Sequence, residues 1–556
     1  MANPRALVAG AGLLLITAAA PAAAAVPTAP RLASLPGAAG AVRAGLTRAA
    51  GPAAGREGGP SIDWALSGQA SADSSESGNP AASAIDGDAG TDWCPNSWTG
   101  SLVVDLGRVR SLDGVGITLD AASPSASAVV EVASTAGNWT ALPAAQLVAL
   151  DPGNPVYVPV PPGTQARYAR LTLKSGTGAP VCVGELRLFG PDPAAAQMAL
   201  GGDLSFTPQE LAAGARFSYR GQQASPVTIM RENGADYVRM RLWVNPPPGY
   251  SNLTSDLALA RAVRAAGMKI YLDVMYSDFW ADPQHQNIPA AWQGQDLSQL
   301  TDTVRTYTQQ VVAAFANQGT PADLVSIGNE IRNGILWPVG QVDWTAGTGW
   351  DNLATLLKAG VAGAQAGNPP GHKLQIMMHF DQGGNNQQSQ EFYSNLVSRG
   401  VPFDVIGLSY YPFFHGTISQ LRANVDALAG QFHKPIIIAE TQYPWTLANG
   451  DSTGNFIWQT SQVSAGYPAS PGGQLSFVSD ELSILAQVPG GLGDGLFYWA
   501  PEWIPGVGWE PGAGTPNDNL TLFNFQGTAL PSIGIFGNPA AVCASYDPYD
   551  VPCAIG

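Results

Sequence analysis

Two stretches decide the fold, Leu324-Val-Ser-Ile-Gly-Asn-Glu330 and Ile436-Ile-Ile-Ala-Glu440, and each is an apolar run that ends in a glutamate. Runs of this length are typical of strands that are buried on both faces, as in a parallel sheet covered by helices. Similar runs occur before, between and after them. Together they predict eight strands, at 203–206, 237–244, 270–276, 324–330, 374–380, 405–411, 436–440 and 495–499.

Helical patterns lie between these strands, with apolar residues at spacings of three and four. They cover residues 256–266, 300–316, 353–364, 391–397 and 475–485. Strands that alternate with helices in this way predict an α/β fold, and eight of them predict a closed (β/α)8 barrel of the TIM type over 199–556. No short-period repeat that would indicate a solenoid or a propeller is present.

The part of the chain before the barrel is organised differently. Residues 61–190 show short alternating runs broken by Gly, Pro and Asp, which predict an all-β sandwich domain. Residues 26–60 are almost entirely Ala, Gly, Pro and Arg and predict a disordered linker. Residues 1–25 have the pattern of a secretory signal peptide, which predicts a secreted protein. The alternative is an uncleaved membrane anchor, for which the apolar run of about 15 residues is short.

Composition limits the classes of partner. With 26 Lys and Arg against 42 Asp and Glu, the chain has a formal charge of −16, which repels nucleic acid and favours a neutral ligand. There are 65 Gly, 45 Pro and 15 Trp residues, but only 12% of residues are charged, a balance typical of sugar-binding proteins. No later segment is apolar enough to span a membrane, so we expect no membrane partner, and we expect a monomer.

The four cysteines fit an exported chain, in which disulfides are stable. Their positions predict two local pairs, Cys94–Cys182 in the first domain and Cys543–Cys553 near the end of the chain. Zinc binding is the alternative, but no C-x-x-C or H-x-x-x-H spacing accompanies them.

The glutamates that end two of the strands carry the predicted chemistry. In barrels of this type the reacting groups project from the carboxyl ends of the strands. Glu330 and Glu440 end the fourth and the seventh strand, so we expect them to face each other across the barrel mouth. A retaining glycosidase needs two such carboxyl groups about 5 to 5.5 Å apart, one as acid and one as nucleophile. The alternative for either glutamate alone is a salt bridge or a cap.

Asn329 immediately precedes the first glutamate. Its amide offers both a donor and an acceptor, and we expect it to bind a sugar hydroxyl. The alternative for Asn329 is a turn residue.

Four motifs stand out in the barrel region: Tyr237-Val-Arg-Met-Arg-Leu-Trp-Val-Asn-Pro246, Tyr276-Ser-Asp-Phe-Trp-Ala-Asp-Pro283, Ile327-Gly-Asn-Glu-Ile-Arg-Asn-Gly-Ile-Leu-Trp-Pro338 and Ala439-Glu-Thr-Gln-Tyr-Pro444. With them the region of about 200–540 resembles glycoside hydrolase family 53, the endo-β-1,4-galactanases of clan A. The resemblance implies that Glu330 is the acid/base and Glu440 the nucleophile. It also implies a secreted enzyme that hydrolyses β-1,4-galactan, as in type I arabinogalactan, with retention of configuration and without a cofactor for catalysis.

Further substrate contacts are implied by the resemblance. They are Arg241, Asp278, Trp280, His379, Tyr410 and Trp499. Each has an alternative: Arg241 holds a glutamate ionised, His379 is a satisfied core group, and Tyr410 or Trp499 is core packing. Stacking platforms for sugar rings are expected among Trp280, Trp292, Trp337 and Trp503, for which core packing is the alternative.

The chain departs from the family in the third strand, where Val274 and Met275 replace an aromatic residue and a histidine. One hydrogen bond to the sugar is therefore missing, and the linkage preference is less firmly implied than the mechanism. The alternative functions are another clan A β-glycanase with a different linkage preference and a non-catalytic galactan-binding protein.

The first domain resembles the discoidin or coagulation factor type C domain, a jelly roll shared with carbohydrate-binding module family 32. Pro80-Ala-Ala-Ser-Ala-Ile-Asp-Gly-Asp88, Leu102-Val-Val-Asp-Leu-Gly107 and Gly184-Glu-Leu-Arg-Leu-Phe-Gly190 carry the resemblance. It implies sugar binding, with a spacer or wall-attachment role as the alternative.

Structural calcium is implied at two places. In the first domain the implied ligands are Asp86, Asp88, Thr91 and Glu185. In the loop after the seventh strand they are Asp451 and Asn455, where an Asx-rich turn is the alternative.

Overall fold

The computed structural model of the protein describes residues 59–143, 148–247, 249–508 and 513–539. The predicted signal peptide, nearly all of the predicted linker and the predicted pair Cys543–Cys553 lie outside the described residues. A disulfide joins Cys94 to Cys182, as predicted. Within the described ranges, no helix combines the length and the apolar character needed to cross a membrane.

The N-terminal module is all-β and consists of two antiparallel sheets that enclose one apolar core. One sheet contains, in spatial order, Ser61–Asp63, Val183–Pro191, Gly114–Leu119 and Val156–Pro159. The other contains Gln69–Ala72, Thr99–Ser111, Gln165–Ser175, Ala126–Ala133 and Thr140–Ala141, and Val148–Leu150 also pairs with Ala126–Ala133. Along Thr99–Ser111 every second residue from Gly100 to Leu106 is buried, so one face of the sheet packs into the core.

The second part of the chain forms a closed barrel of eight parallel strands, as predicted. The strands in order are Ala199–Asp203, Tyr237–Leu242, Lys269–Val274, Leu324–Ile327, Gln375–Phe380, Val405–Ser409, Ile436–Thr441 and Gly493–Tyr498. The α-helices of this part are Thr207–Ala212, Pro226–Glu232, Leu253–Ala265, Leu297–Asn317, Trp350–Gly367, Asn386–Ser398, Pro412–His415, Ile418–Phe432 and Pro471–Ala486.

Alternation along each strand separates two layers of packing. In the second strand, Val238, Met240 and Leu242 pack into the large core between strands and helices, whereas Tyr237 belongs to a smaller cluster inside the barrel. Arg239 and Arg241 have the same inward parity as Tyr237 but lie nearer the carboxyl ends of the strands. We call this end of the barrel the barrel mouth, and it is where the inward polar side chains gather.

The observed limits of all eight strands differ from the predicted ones, and two of these differences bear on the site. The first strand is Ala199–Asp203 instead of 203–206, because Gly201 and Gly202 weaken the apolar pattern. Gly201 is needed there, since a Cβ atom at this position would lie 2.0 Å from the carbonyl oxygen of Tyr237. The fourth strand ends at Ile327, three residues before Glu330.

The helix Ile418–Phe432 was not predicted. The capping box formed by Thr417 and Gln420 marks its start and is the signal that was overlooked.

The module packs on the barrel through buried polar contacts. The Nε and Nη2 atoms of Arg187 donate to the carboxylate of Asp480 at 2.7 and 2.6 Å. The hydroxyls of Tyr157 and Ser476 are 2.7 Å apart. Asp480 and Ser476 belong to the helix Pro471–Ala486, so this helix serves both the barrel and the interface.

Candidate active site

Glu330 lies just beyond the fourth strand, in a left-handed backbone conformation with φ 48° and ψ 53°. A residue other than glycine pays on the order of 1 kcal/mol for this conformation, and such residues cluster at functional sites. The turn directs the carboxyl group into the barrel mouth, where its Oε1 accepts a hydrogen bond from the hydroxyl of Ser409 at 2.6 Å.

Glu440 lies within the seventh strand, and its side chain is almost completely buried. Its Oε1 accepts a hydrogen bond from Nη2 of Arg239 at 2.6 Å. Its Oε2 accepts one from the hydroxyl of Tyr411 at 2.8 Å. Both carboxylate oxygens are therefore held in place by donors, one of which is a cation.

The two carboxyl groups differ in their tendency to hold a proton. Burial raises the pKa of Glu440 to about 7, while Arg239 and Tyr411 oppose this rise. Burial also raises the pKa of Glu330 well above its usual value, and the neighbouring carboxyl groups of Glu440 and Asp381 raise it further. Among the described residues no cation forms a salt bridge with Glu330, so the surroundings favour the proton on Glu330 and the ionised form on Glu440.

Arg239 organises the mouth and was overlooked in the sequence. Its Nη1 donates to Asp203 at 2.6 Å, and its Nη2 lies 2.8 Å from Asp273. The same Nη2 lies 2.9 Å from Oδ1 of Asn329 and also reaches Glu440. One buried guanidinium thus faces three carboxylates and the amide next to Glu330.

Arg241, which was implied as a sugar contact, lies elsewhere. It is fully buried, and none of its three guanidinium nitrogens has a hydrogen-bond partner among the described residues. Its guanidinium carbon lies 4.5, 4.9 and 4.3 Å from the ring centroids of Phe206, Trp243 and Trp280. The alternative role that was considered for Arg241, holding a glutamate ionised, belongs to Arg239. The motif Arg-Met-Arg indicates that both arginines point inward, and it is their depth in the barrel that decides which one reaches Glu440.

Two neighbouring tyrosines show a similar difference from the expectation: Tyr410 was implied as a site residue, but Tyr411 is the one that contacts Glu440. The hydroxyl of Tyr410 donates to the carbonyl oxygen of Gly416 at 3.0 Å, and its ring stacks on Phe477. Tyr411, instead, donates to Glu440. The sixth strand ends at Ser409, whose side chain points inward, so alternation directs Tyr410 outward and Tyr411 back into the mouth.

Asn329 and His379 do lie at the two glutamates. Asn329 accepts from Arg239 and donates from Nδ2 to the carbonyl oxygen of Ala281 at 2.8 Å. His379 is fully buried and contacts the hydroxyl of Ser409 through Nε2 at 2.8 Å. Asn329 therefore contacts Arg239 and the backbone of Ala281, and His379 contacts Ser409.

The tryptophans fall into two groups. Trp280 and Trp499 have ring centroids 6.0 Å apart, and Trp280 is partly exposed beside Arg241. Trp503 is fully buried, with its ring stacked 4.1 Å from Phe206, and Trp292 is buried against Tyr307. Trp503 and Trp292 are therefore core residues, the alternative that was considered for them. Asp278 accepts a hydrogen bond from the backbone N–H of Ala290 at 2.8 Å.

Trp337 lines a groove of about 470 Å³ in the loop that follows Glu330, together with Asn333 and Trp344. The indole N–H of Trp337 donates to the carbonyl oxygen of Asn333 at 2.8 Å. This bond fixes the ring and leaves its face for contact with a ligand.

The implied calcium ligands in the module have mixed surroundings. Asp86 accepts from the hydroxyl of Thr91 at 2.8 Å, and Asp88 accepts from Ser419 of the barrel at 2.7 Å. Glu185 is fully buried, and neither of its carboxyl oxygens has a partner among the described residues. An orphaned carboxyl group of this kind fits a cation ligand.

The second implied calcium site differs. Asp451 accepts from the backbone N–H groups of Thr453 and Thr515 at 2.6 and 2.8 Å. Asn455 donates to the carbonyl oxygen of Ala448 at 3.0 Å. These bonds place Asp451 in an Asx turn, the alternative that was considered, while Oδ1 of Asn455 is buried and has no partner among the described residues, as a cation ligand would be.

The fold and the site together define the class of protein. A closed β/α barrel with two glutamates in its mouth is the arrangement that many glycoside hydrolases use. Residues 199–536 match the sequence model of Glycosyl hydrolase family 53, and the chain belongs to this family. Residues 69–185 match the F5/8 type C domain.

Several known proteins are similar to the barrel. An uncharacterized protein in the bgaB 5' region of Niallia circulans is 40% identical over 60% of this chain and 92% of its own length. The arabinogalactan endo-beta-1,4-galactanase of Thermothelomyces thermophilus is 34% identical over 60% of this chain and 98% of its own length. The GH53 catalytic domain of Ignisphaera aggregans is 34% identical with a TM-score of 0.58, over 61% of this chain and 95% of that domain.

Proposed function

We propose that the protein is a secreted endo-β-1,4-galactanase that cleaves galactan with retention of configuration. The observation that carries this proposal is the contrast between the two glutamates of the mouth. Glu440 has Arg239 and Tyr411 as donors to its two carboxylate oxygens. Glu330 receives one hydroxyl donor and faces other carboxyl groups. This is the arrangement that a double displacement needs.

In the first step, the ionised Oε atom of Glu440 attacks the anomeric carbon of the sugar. Glu330 donates its proton to the departing glycosidic oxygen, so the bond to the leaving sugar breaks as the ester to Glu440 forms. Arg239 and Tyr411 orient the nucleophile for this attack. The proton on Glu330 is available because burial and, after it, the charge of Glu440 raise the pKa of Glu330.

In the second step, Glu330 acts as a base. Once Glu440 has become an ester it carries no charge, so one of the causes that raised the pKa of Glu330 is removed. Glu330, now ionised, takes a proton from a water molecule that attacks the anomeric carbon and releases Glu440. The change of charge at Glu440 therefore drives the change of role at Glu330.

The substrate is inferred from the relatives and from the aromatic lining. The similar enzyme of Thermothelomyces thermophilus bears the name arabinogalactan endo-beta-1,4-galactanase. Trp280 and Trp499 lie at the mouth, and Trp337 lines the groove on the loop that begins at Glu330. A groove beyond the acid suits sugar units on the leaving side, which supports cleavage within a chain. Another clan A β-glycanase activity is the second candidate, favoured by the apolar Met275, which packs against Trp243 beside Trp280, whereas Val274 packs in the core between strands and helices.

The first test is release of reducing ends from linear β-1,4-galactan, with β-1,3-galactan, xylan and mannan in parallel. We expect activity on β-1,4-galactan alone and its loss in Glu330→Ala and Glu440→Ala. The exposed Glu391, on the helix Asn386–Ser398, provides the matched control Glu391→Gln, which we expect to act like the wild type. Activity on another glycan would overturn the substrate. No activity on any of them would favour a non-catalytic galactan-binding protein.

Azide separates the roles of the two glutamates. With an activated β-galactoside, Glu440→Ala should yield the α-galactosyl azide, because azide takes the place of the nucleophile. Glu330→Ala should yield the β-galactosyl azide, because azide then attacks the glycosyl-enzyme. The opposite pairing would reverse the assignment.

We propose that residues 1–25 direct export of the protein and that the module binds sugar. For the module we also propose a calcium ion held by Asp86 and Glu185. The buried, unpartnered Glu185 supports the cation. Thermal unfolding of the full chain in calcium or in chelator tests it, with Glu185→Gln as the variant. We expect calcium to raise Tm in the wild type only, and an equal effect in Glu185→Gln would remove the proposal.

A further inference from the structure

Three side chains form a hydrogen-bonded line from the barrel interior to Glu330. His379 belongs to the fifth strand, and its Nε2 lies 2.8 Å from the hydroxyl oxygen of Ser409. Ser409 ends the sixth strand, and its hydroxyl lies 2.6 Å from Oε1 of Glu330. His379 and Ser409 are fully buried, so water does not compete for these bonds.

The available protons decide which atom donates in each of these two hydrogen bonds. Ser409 has one hydroxyl proton and gives it to Oε1 of Glu330, so the contact with His379 requires a proton on Nε2. Burial and the nearby Arg239 hold the pKa of His379 well below its usual value, so the imidazole is neutral. Its Nδ1 therefore carries no proton, and it has no partner among the described residues.

The line has a consequence for Glu330. Ser409 cannot accept a proton from Oε1 while it donates to that atom. Oε2 of Glu330 has no hydrogen bond among the described residues, and it is the oxygen on which the catalytic proton can reside.

We propose that Ser409 and His379 are positioning residues that keep the transferable proton of Glu330 on Oε2. This inference rests on the proposed function, in which Glu330 is the acid/base. His379 fixes the hydroxyl of Ser409, and Ser409 fixes Oε1 as the oxygen that does not react. Without them the proton is shared between both oxygens and the carboxyl group turns more freely, which costs the alignment that proton transfer needs.

Ser409 also acts on the charge state of Glu330. A donor to a carboxylate favours the ionised form, and this bond opposes the rise in the pKa of Glu330. The other groups with an electrostatic effect in this part of the mouth are the carboxyl groups Glu440, Asp381 and Asp282, with Arg239 beside Glu440 and Arg332 beside Asp381. None of these groups is changed when Ser409 is replaced, so a shift in the pH profile reports the lost hydroxyl.

The first experiment measures kcat/KM against pH on β-1,4-galactan for Ser409→Ala. We expect the basic limb, which reports loss of the proton from Glu330, to move to higher pH by about one unit. We expect kcat to fall roughly tenfold or more. Ser409→Thr, which retains the hydroxyl, should restore both. An unmoved limb in a folded Ser409→Ala protein would overturn the proposal.

The second experiment uses a matched pair at His379. His379→Gln keeps an N–H at the position of Nε2, whereas His379→Met fills a similar volume without a donor. We expect His379→Met to shift the basic limb in the same direction as Ser409→Ala, and His379→Gln to return it toward the wild type. A purely structural role predicts that both variants lose activity without a shift, which would contradict the proposal.

Failure of this inference and failure of the proposed function are distinguishable. If Glu330→Ala retains activity, Glu330 is not the acid/base and the proposed mechanism is wrong. If Glu330→Ala is inactive and the Ser409 and His379 variants keep the wild-type pH profile, the mechanism stands and only the positioning role is wrong.

Discussion

Two arginines are fully buried, Arg187 in the interface between module and barrel and Arg239 in the barrel mouth. They differ in the number of carboxylates to which they donate hydrogen bonds. Arg187 makes two bonds to the single carboxylate of Asp480, and its Nη1 donates to Thr118 at 2.9 Å. Arg239 faces three carboxylates and shares Nη2 among several acceptors. The first arrangement pairs the guanidinium with one carboxylate through two bonds, which suits a fixed interface, and the buried Glu185 and Asp63 interact with Arg187 only through their charge. The second shares one guanidinium among three carboxylates, so the donor that holds Glu440 is also bound to other acids.

The largest effect is expected at Arg239. Arg239→Met would leave Asp203, Asp273 and Glu440 buried without their cation, and it would remove a donor to the nucleophile. We expect kcat/KM on galactan to fall by about 10² to 10³ or more. The acid limb of the pH profile should move to higher pH, because the pKa of Glu440 rises. Activity within tenfold of the wild type, with an unmoved limb, would show that Arg239 is not an electrostatic partner of the nucleophile.

The interface should respond in stability instead of chemistry. Asp480→Ala leaves the guanidinium of Arg187 buried and unpaired, and we expect a loss of roughly 3 to 5 kcal/mol in the free energy of unfolding. The double replacement Arg187→Met with Asp480→Leu should lose less. Urea unfolding measures both. The kcat of the folded protein should stay near that of the wild type, and a loss of kcat comparable to that of Arg239→Met would erase the contrast between the two regions.

A smaller effect is expected at Tyr411. Tyr411→Phe removes the hydroxyl that donates to Glu440, so the pKa of Glu440 rises from its value of about 7. The nucleophile must be ionised, and the acid limb of kcat/KM should therefore shift to higher pH, with a fall in kcat of roughly tenfold. Tyr410→Phe is the comparison, since its hydroxyl bonds to Gly416, and it should leave the acid limb in place. A shift in Tyr410→Phe alone would reverse the assignment.

The last effect concerns Glu502, beside the eighth strand. Its Oε1 accepts from Thr207 at 3.0 Å, and burial raises its pKa to about 8. A carboxyl group with a raised pKa binds its proton more tightly in the folded than in the unfolded state. Its contribution to stability therefore falls as the pH rises from the ordinary glutamate range to about 8.

Glu502→Gln has no such titration. The difference in unfolding free energy, variant minus wild type, should therefore increase with pH across this range, by about 1.4 kcal/mol for each unit of pKa shift at most. Urea unfolding at several pH values measures it. Parallel pH dependences for the two proteins would exclude a titrating Glu502.

The sequence predicted the barrel because its strands are buried on both faces and read as continuous apolar runs. It was weaker where backbone contacts decide the structure. The first strand contains Gly201 and Gly202, whose place is set by the close approach of Tyr237. Glu330 was expected inside a strand, but it follows one in a left-handed turn.

In the site, sequence patterns gave the types of residue more reliably than their positions. The two glutamates and Asn329 can be recognised in the sequence, because each follows an apolar run that predicts a strand. Arg239 and Arg241 have the same inward parity, and local sequence does not tell how deep each lies. Ser409 carries no signal in the sequence, since a serine at a strand end is common.

The sequence by itself determined the eight-stranded barrel, the all-β module and the two glutamates that follow apolar runs, because apolar periodicity and residue chemistry are local properties. Only the tertiary structure decided which arginine and which tyrosine reach Glu440. It also decided that Ser409 and His379 form a hydrogen-bonded line to Glu330 and that Asp480 pairs with Arg187. These relations join residues far apart in the chain, and their depth and orientation are fixed by packing against the rest of the fold.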